Sequence, residues 1–263
     1  MTTKVSVAAI AFLFALFCCG PIALADLYMS GHGDISLRYE NRVLVPHYNL
    51  SRTAIVDGQQ VGETTPGAGR EFAPNQLRVQ VASPTFSRPV GTEWDFIGTP
   101  ANAPIWLLPQ SETTGKPYLG LSTDKLNAAD WVGGTITWNL TSVNSPPGGN
   151  FSLFQTTSFG APVVFFATSD EITNVDKVTL SPTHAHYNWS FTQEGIYDIR
   201  LTASGTHVTG GPTSSTANFQ FIVGVPEPSS FALIGIVIAG LFGQAWRVAR
   251  KRGTNQPCQP TMV

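Results

Sequence analysis

Cysteine is scarce in this 263-residue chain, which contains three. Cys18 and Cys19 lie in an apolar N-terminal stretch, and Cys258 lies close to the C-terminus. Residues 26–225 have no cysteine at all, so disulfide bonds cannot stabilise this part of the chain. An apolar core must hold it together instead.

Charged residues are also few, at 12% of the chain, and 15 Lys and Arg nearly balance 17 Asp and Glu. Within residues 26–225 we find no basic patch and no run of like charge. Nucleic-acid binding requires such a patch, so we expect no nucleic-acid partner.

The N-terminus has the three parts of a secretory signal. Lys4 is followed by the apolar run VAAIAFLFALFCCG, and the small residues ALA at 23–25 precede Asp26. This order predicts a signal peptide over residues 1–25 that is cleaved before Asp26. The alternative is a lipoprotein, but that requires a small residue before the modified cysteine, and Phe17 stands before Cys18.

The C-terminus predicts a membrane anchor. Pro226, Glu227 and Pro228 precede an apolar stretch over 229–246, whose length of about 18 residues is near the minimum for a transmembrane helix. Four basic residues follow within 247–252. Because basic residues stay on the cytoplasmic side, we expect a single-pass precursor with the polar tail 253–263 in the cytoplasm and residues 26–225 outside.

Together, the Pro-Glu-Pro motif, short helix and basic cluster over 226–252 resemble the sorting signal of PEP-CTERM proteins. The resemblance implies a bacterial protein held in the inner membrane before sorting. Its implied partner is an exosortase, a membrane transpeptidase that cuts near the motif. The mature protein is then expected in the cell envelope or on the cell surface. The tail GTNQPCQPTMV departs from the usual pattern, and a plain membrane anchor without cleavage remains the alternative.

Between the two ends, apolar residues alternate with polar ones at the period of β-strands. The segments showing this pattern, or a short continuous apolar run, are DISLRYENRVLV, LRVQV, GTITWNLTSV, PVVFFAT, GIYDIRLTA and TANFQFIVG. Only residues 122–131 predict a short helix, with Ser122 or Thr123 as its cap. We therefore predict one all-β domain over 26–225, an antiparallel β-sandwich of immunoglobulin-like or jelly-roll type.

The histidines are the candidate chemistry of this domain. His32 and Asp34 are separated by one residue, as are His184 and His186. Residues i and i+2 of a strand point to the same face, so two such pairs on neighbouring strands would supply three imidazoles and a carboxylate. These donors suit Zn²⁺ and also Mn²⁺. His47 or His207 could replace Asp34, and the alternative is that the histidines are ordinary exposed strand residues.

Segments across 27–224 resemble the choice-of-anchor M domain, a bacterial surface domain. They include SGHGDISLRYENRVLVPHYNL, PIWLLPQSETTGKPYLGLST, SPPGGNFSLFQTTSFGAPVVFFATSDEI and HAHYNWSFTQEGIYDIRLTASGTH. The resemblance implies a surface protein with a zinc or manganese role, because such domains accompany metal-uptake ABC transporters. It does not assign the ligands.

Three functions are therefore open. The first is a non-enzymatic surface protein that binds zinc or manganese, with a metal-transport system as a partner. The second is a structural or adhesive protein of an exopolysaccharide matrix that needs no metal. The third is an envelope hydrolase, since carboxylate pairs that hydrolyse glycosides are brought together only by the fold.

Overall fold

A computed structural model describes residues 25–62, 69–82 and 84–224. These residues belong to one unit that ends at Gly224. The signal peptide apart from Ala25, the Pro-Glu-Pro motif, the transmembrane helix 229–246, the basic cluster and the tail 253–263 are predictions that lie outside the described residues. Over the described ranges, no helix has the length and apolar character needed to cross a bilayer.

The described residues are mostly β-structure, as predicted, with short 3-10 helices at Pro74–Gln76, Thr92–Ile97, Ala128–Asp130 and Val132–Gly134. The strands in chain order are β1 (Asp26–Glu40), β2 (Val43–Leu50), β3 (Ile55–Val56), β4 (Gln59–Gln60), β5 (Arg70–Phe72), β6 (Leu77–Val81), β7 (Pro84–Ser87), β8 (Pro104–Leu108), β9 (Pro117–Ser122), β10 (Ile136–Asn144), β11 (Phe151–Thr156), β12 (Pro162–Ala167), β13 (Lys177–Leu180), β14 (His184–His186), β15 (Asn188–Phe191), β16 (Gly195–His207) and β17 (Gly211–Val223).

These strands form two open sheets. The larger one runs β13-β10-β16-β17-β6-β1-β2-β5, and β1 also pairs with β9, which in turn pairs with β14. The short strands β3 and β4 join the same sheet through β1. The smaller sheet has the order β12-β11-β15-β8-β7.

The two sheets share one apolar core. Trp189 of the smaller sheet packs on Phe221 of the larger sheet with ring centroids 5.3 Å apart, and Phe191 lies 4.9 Å from the ring of Tyr197. All four of these side chains are completely buried. Aromatic rings bury large apolar areas, so contacts of this kind supply much of the stability that disulfides provide in other exported domains. This packing of two open sheets is the one expected of a sandwich.

Residue alternation explains the strands at the centre of the larger sheet. In β6, Leu77, Val79 and Val81 are buried while the residues between them are only partly so. In β10, Trp138 and its apolar neighbours at i−2 and i+2 point into the core, and Thr137 and Asn139 point outward. The period of two therefore predicts both the strands and their buried faces.

The prediction of a purely antiparallel sandwich is wrong. Strand β6 pairs in parallel with both β1 and β17, and β1 pairs in parallel with β9. Apolar and polar residues alternate in the same way in parallel and antiparallel strands. Strand direction depends on which distant segments meet, so it could not be deduced from the period.

The predicted helix over 122–131 is also wrong. Ser122 ends β9, and one 3-10 turn at Ala128–Asp130 follows, in which the Asn127 side chain accepts the amide N–H of Ala129. The segment does not form an α-helix because its first residues are hydrogen-bonded to a distant loop. The backbone N–H of Thr123 donates to the Thr183 carbonyl, and Thr123 is completely buried.

The stretch from His184 to Trp189 forms two strands that belong to different sheets. Strand β14 ends at His186 and pairs with β9 of the larger sheet. Strand β15 begins at Asn188 and pairs with β8 and β11 of the smaller sheet. Tyr187, which is buried, lies between the two strands. The histidines and the buried Trp189 are therefore on different sheets.

Candidate metal centre

The two His-containing pairs meet on one face of the larger sheet, with β9 between their strands. Asp34 of β1 is paired with Gly120 of β9, and Gly120 is paired with His186 of β14. Paired residues point to the same face, so Asp34, Gly120 and His186 form a row across three strands. The expectation that the pairs lie on directly neighbouring strands is therefore wrong. They approach each other across the intervening strand.

Gly120 makes this approach possible because it has no side chain. A Cβ atom at this position would lie 2.3 Å from Oδ1 of Asp34 and 2.9 Å from the carbonyl oxygen of Ala185. It would also lie 3.2 Å from Cε1 of His186. The space above Gly120 is therefore the space that the aspartate and the imidazole use, and any larger residue would fill it.

Three imidazoles surround this space. One ring nitrogen from each of His32, His184 and His186 lies within 4.8 Å of the other two. The Nε2 atoms of His32 and His186 are 3.1 Å apart. Two nitrogens bound to one tetrahedral zinc at 2.0–2.1 Å would be about 3.3–3.4 Å apart, so this pair is already close to ligand spacing.

Asp34 lies at the base of the cluster. Its side chain is 5% exposed, and its Oδ2 atom is 3.8 Å from Nε2 of His32. Its Oδ1 atom is 4.0 Å from Nε2 of His186 and accepts no hydrogen bond. A buried carboxylate oxygen without a donor is costly, which makes it a natural point for a cation to bind.

The depth of the four donors differs. His186 is nearly as buried as Asp34, with 8% of its side chain exposed. His32 is 36% exposed at the side chain, and His184 is the most exposed of the three histidines. The cluster is thus a shallow bowl whose base is Asp34 and His186 and whose rim is His32 and His184.

Neighbouring side chains hold the base of the bowl in place. The ring of Tyr118, also on β9, stacks on His186 at 3.6 Å with an interplanar angle of 9°. Gln155 donates its side-chain N–H to the His186 carbonyl at 2.9 Å. The indole N–H of Trp189 donates to the Leu119 carbonyl, which joins the smaller sheet to β9. These contacts fix His186 before any ligand arrives.

The backbone on either side positions the two rim histidines. Gly31 adopts φ +89°, a conformation that other residues rarely take, and its N–H donates to the Lys116 carbonyl. This turn directs His32 towards the cluster. On the other rim, the Thr123 hydroxyl donates to the Ser181 carbonyl and so fixes the loop that leads into His184.

Burial favours the uncharged forms of His186, His32 and Asp34. It lowers the pKa of His186 to about 3, and the nearby His32 and His184 lower it further in the same direction. Burial, followed by His184, also lowers the pKa of His32. Burial raises the pKa of Asp34 to about 7. The two imidazoles are neutral at pH 7, which is the form that binds metals.

His47, the first of the two alternative ligands, lies on the same sheet face but in a different cluster. It is paired with Ser36 across β1 and β2 and is buried. Its Nδ1 atom is 3.0 Å from the Val45 carbonyl, and its Nε2 atom is 3.4 Å from Oε1 of Glu71. Burial lowers its pKa. Its Nδ1 atom has a protein partner, whereas its Nε2 atom is buried without a hydrogen bond and faces the Glu71 carboxylate.

His207, the second alternative ligand, has a structural environment. Its ring stacks on Tyr39 at 4.5 Å and meets Trp131 edge-on at 5.3 Å. Its Nδ1 atom accepts the backbone N–H of Gly210 at 3.0 Å. His207 therefore closes the hairpin between β16 and β17, and among the described residues it does not join the group of three histidines.

Sequence reasoning missed two members of the site, Tyr118 and Gly120. Their segment PYLGLS alternates two buried leucines with Tyr118, Gly120 and Ser122. That alternation is the signal of a strand with a small and polar outer face. It does not reveal that this strand lies between the two histidine pairs.

Comparisons with known proteins concern the C-terminal end of the chain. Residues 224–251 match the PEP-CTERM protein-sorting motif. A search of curated proteins and a search of solved structures each find no significant match. The comparisons give no support to the resemblance to the choice-of-anchor M domain. The motif implies an exported, envelope-associated protein that is sorted and processed by an exosortase.

Proposed function

We propose that the protein is a non-enzymatic surface protein that binds one divalent metal ion at His32, His184 and His186, with Asp34 as the fourth donor. The observation that carries the proposal is the convergence of three imidazole nitrogens within 4.8 Å from segments about 150 residues apart. Neutral imidazoles and one carboxylate suit zinc best, and manganese is the alternative.

The space above Gly120 gives further support to this proposal. The side chains of Asp34 and His186 and the carbonyl oxygen of Ala185 all lie close to the position where Gly120 has no side chain. One of the groups facing it, Oδ1 of Asp34, is buried without a hydrogen-bond donor. Two neutral histidines can share one hydrogen bond at 3.1 Å, but that bond leaves the aspartate unsatisfied. A bound cation satisfies it and the imidazoles together.

The test is the metal content of the full chain, purified in detergent without a polyhistidine tag. Cys18, Cys19 and Cys258 are replaced by serine in every protein, because thiolates also bind zinc. After chelator treatment and dialysis, calorimetry and elemental analysis at pH 7 should show one zinc per chain. The double variant His184→Ala, His186→Ala should show none.

The matched control is His207→Ala, which removes a histidine that contacts Tyr39 and Trp131 and leaves the cluster intact. It should retain one zinc per chain. If wild type binds neither zinc nor manganese, the metal-binding proposal is wrong. Thermal melting of each variant distinguishes loss of binding from loss of fold.

A second candidate function, a metal-free matrix or adhesive protein, is favoured by the outer face of the larger sheet. The hydroxyls of Thr137 and Thr179 pair at 3.0 Å, and those of Thr202 and Thr216 pair at 2.8 Å. These exposed hydroxyls suit hydrogen bonding to a neutral polysaccharide. Binding of soluble exopolysaccharide to the metal-free double variant, with affinity equal to wild type, would favour this function. The envelope-hydrolase hypothesis stays a prediction.

Sorting is tested separately from metal binding. The motif at 224–251 implies exosortase processing, and we propose that cleavage near Pro226–Pro228 removes the apolar segment and the basic cluster. Mass spectrometry of the mature protein from an exosortase-containing host should then find no peptide from 247–263. Intact C-termini on most mature molecules would favour the plain membrane anchor.

A further inference from the structure

We infer that the metal centre, if the proposed function holds, keeps a coordination position open to solvent and binds there an exogenous ligand that is uncharged. The inference deepens the metal-binding proposal by naming the class of ligand that the bound ion accepts. It is carried by the one-sided placement of the donors and by the negative charge at the rim.

The donors approach the metal position from one side. His32 and Asp34 project from β1, and His184 and His186 project from β14, all towards the same face of one sheet. Donors that all project from a single face leave the opposite side of the metal ion to solvent. Within the described residues, no further histidine, cysteine or carboxylate joins the three clustered histidines from the opposite side.

The exposed fractions of the donor side chains also indicate an open coordination position. His184 is exposed and the His32 side chain is 36% exposed, whereas the two donors at the base are nearly buried. A metal held by all four would therefore sit at the surface with its outer side facing water. An exogenous ligand added to these four donors makes the ion five-coordinate, a state that zinc sites with an open position can reach.

The rim carries negative charge. Asp124 is exposed, and it lies close to His184 because Ser122, two residues before it, is paired with His184 across β9 and β14. Asp124 is held in place by the Ser122 hydroxyl, which donates to its Oδ1 atom at 2.6 Å. This carboxylate weakens the attraction of the bound cation for anions and leaves neutral oxygen or nitrogen donors unaffected.

Cobalt(II) is the probe for the test, because its visible absorption changes with coordination number while zinc has no such signal. The full chain with the three cysteines replaced by serine is loaded with cobalt and titrated with imidazole, a neutral ligand, and with azide, an anion. Imidazole should change the cobalt spectrum with an affinity severalfold higher than that of azide. Cobalt content is measured after each titration to show that the metal has stayed bound.

The variant Asp124→Asn tests the role of the rim. Azide affinity should rise by about twofold to fivefold, and imidazole affinity should stay unchanged. If azide binds wild type more tightly than imidazole does, the preference for uncharged ligands is overturned.

The outcomes separate this inference from the proposal beneath it. If wild type binds no cobalt, zinc or manganese, the metal-binding function fails and this inference fails with it. If cobalt binds in one-to-one stoichiometry but neither imidazole nor azide changes its spectrum, the coordination sphere is closed. The inference is then wrong while metal binding stands.

Discussion

Two polar clusters lie on the same face of the larger sheet, and they differ in how their charges are balanced. The histidine cluster consists of His32, Asp34, His184 and His186. The Glu71 cluster consists of Arg38, His47, Glu71 and Lys125. Asp34 and Arg38 both belong to β1, where residues at even spacing share a face. The two clusters thus share a strand and a face, and only their chemistry separates them.

The Glu71 cluster is balanced within the protein. Lys125 donates to Oε1 of Glu71 at 3.1 Å, and Arg38 forms an ion pair with the other carboxylate oxygen. Although burial alone would raise the pKa of Glu71, the Lys125 hydrogen bond and the neighbouring positive charges lower it. Such a network stabilises the packing of β1, β2 and β5 and offsets the negative charge of Glu71 with two positive charges.

The histidine cluster lacks that balance. It has a buried carboxylate with no arginine or lysine in the contacts described for it, and burial holds its pKa at about 7. The comparison shows that a buried histidine such as His47 is insufficient to identify a ligand site. Donors that converge on one space beside a carboxylate that no described lysine or arginine contacts are the stronger sign.

The largest expected effect comes from filling that space. Gly120→Ala places a methyl group 2.3 Å from Oδ1 of Asp34 and 2.9 Å from a backbone oxygen that cannot easily move. Zinc affinity should fall by about a hundredfold, the upper end of the loss seen when groups that orient metal ligands are changed. Calorimetry measures the change.

Ser122→Ala is the control for this substitution, since it alters the same face of β9 but leaves the space above Gly120 free. Its zinc affinity should stay within about threefold of wild type. Equal zinc affinities for wild type and Gly120→Ala would show that the metal does not occupy the space above Gly120.

Replacing the unsatisfied carboxylate should have the next largest effect. Asp34→Asn keeps the shape of the side chain and removes its negative charge, so zinc affinity should fall by about tenfold to a hundredfold. The matched variant in the balanced cluster is Glu71→Gln, whose zinc affinity should remain unchanged. A loss of zinc affinity in Glu71→Gln as large as that in Asp34→Asn would remove the distinction between the clusters.

The stability of the metal-free protein should instead depend on the Glu71 cluster. Glu71→Gln leaves Arg38, Lys125 and the buried His47 without their shared anion, so the free energy of unfolding should fall by about 1–3 kcal/mol. Urea denaturation of the metal-free proteins measures this. No loss of stability would mean that the Glu71 cluster is not a structural network.

The last expected effect is a pH dependence of stability within the histidine cluster, where two opposing contributions partly cancel. The pKa of His186 is lowered to about 3, so its contribution to stability is present above its ordinary value of 6.5 and is lost as pH falls towards 3. The pKa of Asp34 is raised from 3.8 to about 7, so its contribution is present below 3.8 and is lost as pH rises towards 7. Between about pH 4 and 6.5 the two slopes oppose each other.

Asp34→Asn removes the part of the pH dependence of stability that comes from Asp34. In metal-free protein, the stability of the variant relative to wild type should therefore rise with pH between 4 and 7, by at most about 1.4 kcal/mol per pH unit. Parallel stability curves for the two proteins would show that the aspartate is not buried in its protonated form.

The sequence predicted the β-rich fold and the meeting of the two histidine pairs, but not how they meet. Alternation at His32 and Asp34, and again at His184 and His186, depends on local geometry and can be deduced from spacing alone. The position of β9 between them depends on pairing between distant segments. The sequence does not reveal that the chain changes sheet at Tyr187. Polar and apolar residues continue to alternate from His184 to Trp189, although the first strand ends at His186.

The central claim is that the imidazoles of His32, His184 and His186 bind one metal ion above Gly120. X-ray absorption at the zinc edge tests it most directly, on the zinc-loaded full chain with its cysteines replaced by serine. We expect about three imidazole nitrogens at about 2.0–2.1 Å, with further oxygen donors from Asp34 and from solvent. The His184→Ala, His186→Ala variant should retain no zinc to measure. A wild-type spectrum without imidazole scattering, or equal zinc retention by the double variant, would contradict the claim.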